Sequence, residues 1–169
     1  MIDILQQLIN DFLPFAKERM GYEQHPRIFL SKDQANSQDV FGKTAYYDPQ
    51  NSKVVLYITN RHPKDIMRSL SHELVHHAQN SRGEFDGSTT TSPGYAQEDS
   101  HLRGLEEEAY LKGNMCFRDY EDQIKKNVAN KKLYKEYLKL EDKPLNASER
   151  RNQMILESLA KKWGMKIKL

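Results

Sequence analysis

Residues 69–80, SLSHELVHHAQN, carry three of the six histidines of the chain. Their centre, HELVH at residues 72–76, fits the pattern H-E-x-x-H. On a helix, positions i and i+4 lie on one face a turn apart, so His72 and His76 could bind one metal ion together. Glu73 lies about 100° further round, where its carboxylate could reach a water molecule beside the ion. The stretch therefore predicts a helix with a metal site.

The residues before the motif favour the same helix. Pro63 suits the first helical turn, and Asp65 is favourable near the positive end of the helix dipole. Apolar residues then recur at four-residue spacing, at Ile66, Leu70, Leu74 and Ala78. We therefore predict a helix from about residue 63 to residue 80.

The choice of metal depends on a third ligand. Two neutral imidazoles suit Zn²⁺, and a catalytic zinc normally takes a third protein ligand and leaves one position open to water. The pattern H-E-x-x-H-x-x-G-x-x-H is excluded, because Gln79 and Arg82 occupy its glycine and last histidine positions. Another common arrangement places a glutamate on a later helix. Residues 103–114, RGLEEEAYLKGN, offer Glu106, Glu107 and Glu108.

Helical periodicity separates these three glutamates. Relative to Leu102, Glu106 lies about 40° round the helix, on the predicted apolar face, whereas Glu107 and Glu108 lie about 140° and 120° away. A carboxylate that faces the core is costly unless it is paired or metal-bound. Glu106 is therefore the favoured third ligand and Glu108 the alternative. An acidic first turn that complements the helix dipole would explain Glu107 and Glu108 without any metal.

The rest of the chain predicts a mixed α+β fold. Residues 2–20 have apolar side chains at helical spacing, and residues 27–31 form a short strand candidate. Residues 41–60 read as two β-rich runs around a turn, which predicts a hairpin. A loop rich in Gly, Ser and Thr over residues 83–100 precedes the glutamate helix. We expect a small sheet packed on the motif helix, a second helix with the glutamate, and C-terminal helices.

Composition limits the class of protein. The chain has 169 residues, 37% apolar and 30% charged, which is typical of one soluble domain. No run of 18 apolar residues suggests a membrane span, and the N-terminal segment lacks the features of a secretory signal. The single Cys116 excludes an internal disulfide and suits a reducing compartment. We expect a cytoplasmic protein with no membrane partner.

The charge is unevenly distributed. Residues 1–124 hold 13 Lys and Arg against 19 Asp and Glu, whereas residues 125–169 hold 13 against 5. We therefore divide the chain into a domain over residues 1–124 and a basic helical extension over residues 125–169 that packs on it. The extension could bind nucleic acid or an acidic partner. A helix packed by its apolar stripe, with its lysines in water, explains the same pattern and is favoured.

HELVHHAQ followed by RGLEEEAY resembles the gluzincin group of zinc metallopeptidases, in which H-E-x-x-H precedes E-x-x-A-[DN] on a later helix. The chain is similar in particular to the minimal metallopeptidase-like proteins of tailed bacteriophages and bacteria, over about residues 40–120. The resemblance implies a minimal zincin-like fold and hydrolysis of peptide bonds, with Glu73 as the general base. It implies a zinc ion held by His72, His76 and Glu106.

The resemblance also raises expectations about the surroundings of the site. It implies an edge strand that lines the cleft, for which residues 53–60 are the candidate. Tyr110 stands where the family often has Asp or Asn to orient a histidine ligand. That role would then fall to Asp119 or to a backbone carbonyl. A second donor to the developing oxyanion is also needed, and the candidates are Tyr95, His101, Arg103 and Tyr110.

Four residues with weaker patterns have simpler interpretations. We expect His77 to support a ligand or to lie on the surface, and His62 to have a structural role at the start of the motif helix. Cys116 falls on the apolar face of its helix and is expected in the core. Arg68 lies one turn before His72 and could pair with a carboxylate in the cleft, although a solvated arginine explains it better.

The sequence thus predicts a zinc-dependent peptidase that acts on a protein or peptide substrate. A phage-encoded protein of this kind would act in the host cytoplasm or in the virion. The alternative is a non-catalytic zinc-binding structural or assembly protein of the virion. Glu73 argues against it, because a purely structural site needs no base between its histidines. A deformylase is disfavoured because its cysteine ligand precedes H-E-x-x-H, whereas Cys116 follows it.

Overall fold

The structure is a computed structural model that describes residues 2–85 and 100–127, together with Lys132, Lys135, Glu136 and Lys139. Predictions for residues 86–99, and for most of the basic extension, lie outside these residues and stay predictions. The described elements are α1 (Ile2–Met20), β1 (Arg27–Ser31), α2 (Gln34–Gln38), β2 (Ala45–Asp48), β3 (Lys53–Tyr57), α3 (Pro63–Ser81) and α4 (Ser100–Lys126). The predicted α+β class is confirmed.

The three strands form one sheet in the order β1-β3-β2. β2 and β3 form the predicted antiparallel hairpin, and β1 pairs with β3 in parallel. β3 is therefore the central strand, and the expectation that residues 53–60 supply an edge strand is wrong. β2 lies at the edge instead, because β1 occupies the other side of β3.

One hydrophobic core joins the sheet to the helices. α1 contributes Phe12, β3 contributes Leu56, α3 contributes Leu74 and α4 contributes Phe117, all of them buried. Cys116 is also buried, as expected for a core residue. No helix in the described parts of the chain is long and apolar enough to cross a membrane.

Local signals set both ends of α3. His62 is the N-cap, and its Nδ1 accepts a hydrogen bond of 3.0 Å from the backbone N–H of Lys64. Pro63 follows in the first turn, where its missing N–H has no cost. After the helix, Gly83 has a φ of 77°, a conformation that glycine adopts without strain. The structural role expected for His62 is confirmed.

α3 and α4 approach each other closely at Gly113. A Cβ atom added there would lie 3.1 Å from both the Cα and the backbone N of His72. Ser71 Oγ also donates a hydrogen bond of 2.7 Å to the Gly113 carbonyl. This contact fixes α4 beside the motif. The short helix α2, which Asp33 caps at its N-terminus, was not predicted from the sequence.

Candidate metal centre

His72, His76 and Glu106 meet between α3 and α4. The two Nε2 atoms lie 3.1 Å apart. Glu106 Oε2 lies 3.2 Å from His72 Nε2, and Glu106 Oε1 lies 3.4 Å from His76 Nε2. The structure therefore brings together the three residues that the spacing and the helical wheel indicated as ligands.

These distances can be compared with those around a tetrahedral ion. With Zn–N and Zn–O bonds of about 2.0 to 2.2 Å, two ligand atoms at a tetrahedral angle lie roughly 3.3 Å apart. The two Nε2 atoms are 3.1 Å apart, and each lies 3.2 or 3.4 Å from a different oxygen of Glu106. With one ligand atom taken from each residue, the three atoms all lie within 4.8 Å of one another. Two imidazoles and one carboxylate suit Zn²⁺, although other divalent ions accept the same donors. The set could therefore hold a divalent cation.

Gln79 orients His76. The amide of Gln79 is fully buried, and its Oε1 lies 2.8 Å from His76 Nδ1. An amide oxygen can only accept, so this contact places the imidazole proton on Nδ1 and leaves the Nε2 lone pair directed at Glu106 and His72. Gln79 Nε2 donates to the Leu105 carbonyl and to Glu108 Oε2, both at 2.9 Å. The amide thus ties the histidine to α4.

Two expectations about this part of the site are wrong. Asp119 does not orient a histidine, because its carboxylate pairs with Arg19 at 2.9 Å. Glu108, the alternative ligand, points away from the cluster, where Arg82 at 3.1 Å, Lys112 and the Gln79 amide hold it. Burial opposes ionisation of this carboxyl, but its partners keep the pKa of Glu108 below its usual range. Glu108 supports the site through Gln79.

The carboxylates around the histidines favour a positive charge at the cluster. Burial disfavours protonated His76, yet its hydrogen bond to Glu106 and the charges of Glu106 and Glu73 raise the pKa of this imidazole. A proton and a metal ion would therefore compete for the same lone pair. The electrostatics of the cluster are those of a cation site.

Glu73 is buried beside the cluster. Burial raises the pKa of its carboxyl, a shift that nearby His76 and His72 oppose. The backbone N–H of Tyr47 also acts to lower this pKa. Tyr57 N donates to the Thr44 carbonyl, so alternation along the ladder turns the N–H and C=O of Tyr47 away from β3. The edge strand β2 thus lies beside the predicted base.

A buried network fixes Tyr47 in turn. His77 Nε2 donates to the Gln24 carbonyl at 2.7 Å, which leaves His77 Nδ1 to accept from the Tyr47 hydroxyl at 3.0 Å. Asn80 Nδ2 donates to the same hydroxyl at 2.9 Å. His77 is therefore not a surface residue. It anchors β2 to α3 and acts on the site through Tyr47.

Two aromatic rings border the cluster. The Tyr110 ring lies 4.6 Å from the His72 ring and is largely exposed, and the Phe85 ring lies 6.0 Å from the His76 ring. Of the candidate oxyanion donors among the described residues, Tyr110 therefore lies next to the predicted ligand His72. His101 is exposed and donates to the Glu84 carbonyl at 3.1 Å. Arg103 is also exposed, and Tyr95 lies outside the described residues.

Sequence reasoning missed Gln79 and Tyr47 as parts of the site. Gln79 carried a faint signal, because it lies three residues after His76 and a helix brings such positions together. Tyr47 carried none, because it acts through its backbone N–H.

Comparisons of the chain with known protein families, with curated proteins and with solved structures find no match.

Proposed function

We propose that this protein is a zinc-dependent peptidase that hydrolyses peptide bonds in a protein or peptide substrate. The observation that carries the proposal is the cluster of His72, His76 and Glu106, whose ligand atoms, one from each residue, lie within 4.8 Å of one another, beside the buried carboxylate of Glu73. A metal site with a carboxylate next to it has the parts that hydrolysis requires.

The proposed roles follow from the chemistry of each group. A zinc ion supplies Lewis acidity that polarises a carbonyl and activates water. Glu73 accepts the proton of the attacking water and returns it to the leaving nitrogen. In the metal-free protein, burial raises the pKa of this carboxyl, which favours uptake of a proton. The N–H of Tyr47 favours the ionised form of the same carboxyl.

The outer edge of β2, with which no strand of the described residues pairs, supports a peptide as the substrate. The ladder that turns the Tyr47 carbonyl outward does the same for the N–H and C=O of Ala45, two residues earlier. An extended peptide can pair with such groups as an added strand. Its backbone would then run past Glu73 and the metal ligands.

The first test is metal content together with cleavage. We expect elemental analysis of the purified protein to find one equivalent of zinc. Glu106→Ala should lose this zinc, whereas Glu108→Ala should keep most of it. We expect wild type to cleave casein or members of a peptide library. Glu73→Gln should keep its zinc and lose cleavage.

The outcomes separate the proposal from its rivals. Stoichiometric zinc with no cleavage of any peptide would favour the non-catalytic zinc-binding structural or assembly protein. Absence of zinc, even after refolding with the metal, would mean that the cluster is not a zinc site. Cleavage that survives in Glu73→Gln would refute the role of the base.

A further inference from the structure

A groove of about 670 Å³ lies between α3 and α4, outside the candidate metal-binding cluster of His72, His76 and Glu106. Arg68 lines it from α3, and Asn114, Phe117 and Arg118 line it from α4. Phe117 is buried and closes the floor, whereas both arginines are exposed. The groove therefore combines an apolar base with cationic walls.

Both walls lead directly to the metal cluster. Arg68 precedes His72 by one helical turn on α3, and Asn114 follows Tyr110 by one turn on α4. The rings of His72 and Tyr110 are 4.6 Å apart, so the two helices already meet at that level. The groove and the cluster are thus neighbouring stretches of the same line of contact between α3 and α4.

The far end of the groove has balanced charges. Glu121 pairs with Lys64 at 3.5 Å, and Asp122 pairs with Lys125 at 3.8 Å. Each carboxylate at this end therefore has a cation beside it. These pairs leave little net charge for a ligand.

The end nearer the metal cluster differs. Arg118 forms no ion pair with any residue that the structure describes. Arg68 pairs with Asp65 at 3.2 Å, but both side chains are about half exposed, so this contact is easily exchanged for another. Two guanidinium groups thus line the groove with one weakly held counterion. Such a pair can bind a carboxylate through bidentate hydrogen bonds.

We propose that this groove binds a carboxylate of the peptide substrate, which makes Arg68 and Arg118 specificity residues. The proposal rests on the function proposed above. One helical turn separates Arg68 from His72 by about 6 Å, and two turns separate Arg118 from Tyr110 by about 12 Å. An extended chain covers about 3.3 Å per residue, so the carboxylate lies two to four residues from the cleaved bond. It belongs to an Asp or Glu side chain or to the C-terminus of the peptide.

Binding to a protein that cannot turn over tests this inference independently of cleavage. Zinc-loaded Glu73→Gln is titrated into decapeptides that carry a neutral fluorescent label and are uncharged except for one Glu, placed at each position in turn. The counterpart of each peptide has Gln in place of that Glu. A second set has a free or an amidated C-terminus. Fluorescence anisotropy gives Kd, and circular dichroism checks that each variant is folded.

We expect one or two Glu positions, or the free C-terminus, to tighten binding about fivefold to tenfold over the uncharged counterpart. The preference should fall below twofold when Arg68→Gln and Arg118→Gln are combined, and added salt should weaken it. Lys17→Gln, which removes one exposed charge from α1, is the matched control and should keep the preference.

Two results would overturn the inference. One is equal binding of Glu and Gln peptides, and the other is a preference that survives the double substitution. If wild type still cleaves peptides in those cases, the peptidase proposal stands while the carboxylate groove fails. A preference that depends on both arginines, in a protein that cleaves nothing, would support the groove and refute the peptidase.

Discussion

The substitution Gly113→Ala tests the close approach of α3 and α4 on which the cluster of His72, His76 and Glu106 depends. The added Cβ would lie 3.1 Å from the Cα and N of His72 and 3.2 Å from the carbonyl carbon of Ser71. All three are backbone atoms, so no side chain can rotate away. The helices must separate by a few tenths of an ångström, and His72 lies at the point of contact.

The expected magnitude combines two opposing terms. Alanine gains about 0.8 to 1.0 kcal/mol of helix propensity over glycine. Overpacking of a well-filled contact costs about 1 to 3 kcal/mol. We therefore expect Gly113→Ala to lower the free energy of unfolding by up to about 2 kcal/mol. Zinc affinity should fall several-fold, because a metal site tolerates displacements of only about 0.2 Å.

Gly104 supplies a matched control on the same helix. A Cβ atom added there meets nothing within 4 Å, so Gly104→Ala gains propensity without a clash. We expect it to raise the free energy of unfolding by about 0.5 to 1 kcal/mol. Urea unfolding of the metal-free proteins measures stability, and competition with a chromogenic chelator measures zinc affinity. If Gly113→Ala stabilises the protein as much as Gly104→Ala and binds zinc equally well, the close approach is refuted.

Three further predictions concern buried groups. Gln79→Met should lower zinc affinity tenfold to hundredfold and the free energy of unfolding by about 2 to 3 kcal/mol, because it leaves the buried Nδ1–H of His76 without an acceptor. Competition titration measures the affinity and urea unfolding measures the stability. Unchanged affinity would contradict the prediction. Tyr47→Phe removes the hydroxyl contacts with His77 at 3.0 Å and with Asn80 at 2.9 Å. The free energy of unfolding in urea should fall by about 1 to 2 kcal/mol, and the zinc content should not change. Loss of zinc would mean that this network acts directly on the ligands. Burial raises the pKa of the Cys116 thiol to about 11, so roughly one thiol in a thousand is ionised at pH 8. Labelling of Cys116 by a disulfide reagent should therefore be at least about a hundredfold faster in urea than in buffer. Equal labelling rates would place the thiol outside the core.

Local patterns in the sequence were sufficient to predict most of the described elements. Apolar spacing predicted α1, α3 and the helix that carries Glu106, and turn residues predicted the hairpin. α2 was not predicted, because a helix of five residues is too short to show a periodic pattern of apolar residues. Its start depends on a single capping contact from Asp33.

The candidate site was predictable where helix geometry alone decides it. His72 and His76 are neighbours in any helix that contains them, since i and i+4 share a face. The helical wheel also placed Glu106 toward the core. It could not place Glu108, because the ion pair with Arg82 and the bond to Gln79 join residues more than 25 positions apart.

The order of the strands shows why the rest depended on the tertiary structure. A hairpin requires β2 and β3 to pair, but the sequence does not state which of them β1 joins. β1 pairs with β3, so among the described strands β2 is left with one unpaired edge, and the backbone N–H of Tyr47 on that edge affects the pKa of Glu73. A backbone donor has no signature in the sequence, because every residue except proline carries one.

The sequence by itself thus determined the helix of the motif and the placement of its two histidines and of Glu73 between them, since contacts within one helix turn need no other element. Only the tertiary structure decided that Glu106 and not Glu108 closes the cluster, that Gln79 orients His76, and that β2 lines it. The physical reason is the range of the interactions. Each of these choices follows from how α4 packs at Gly113 and how the sheet is ordered, and both join segments far apart in the chain.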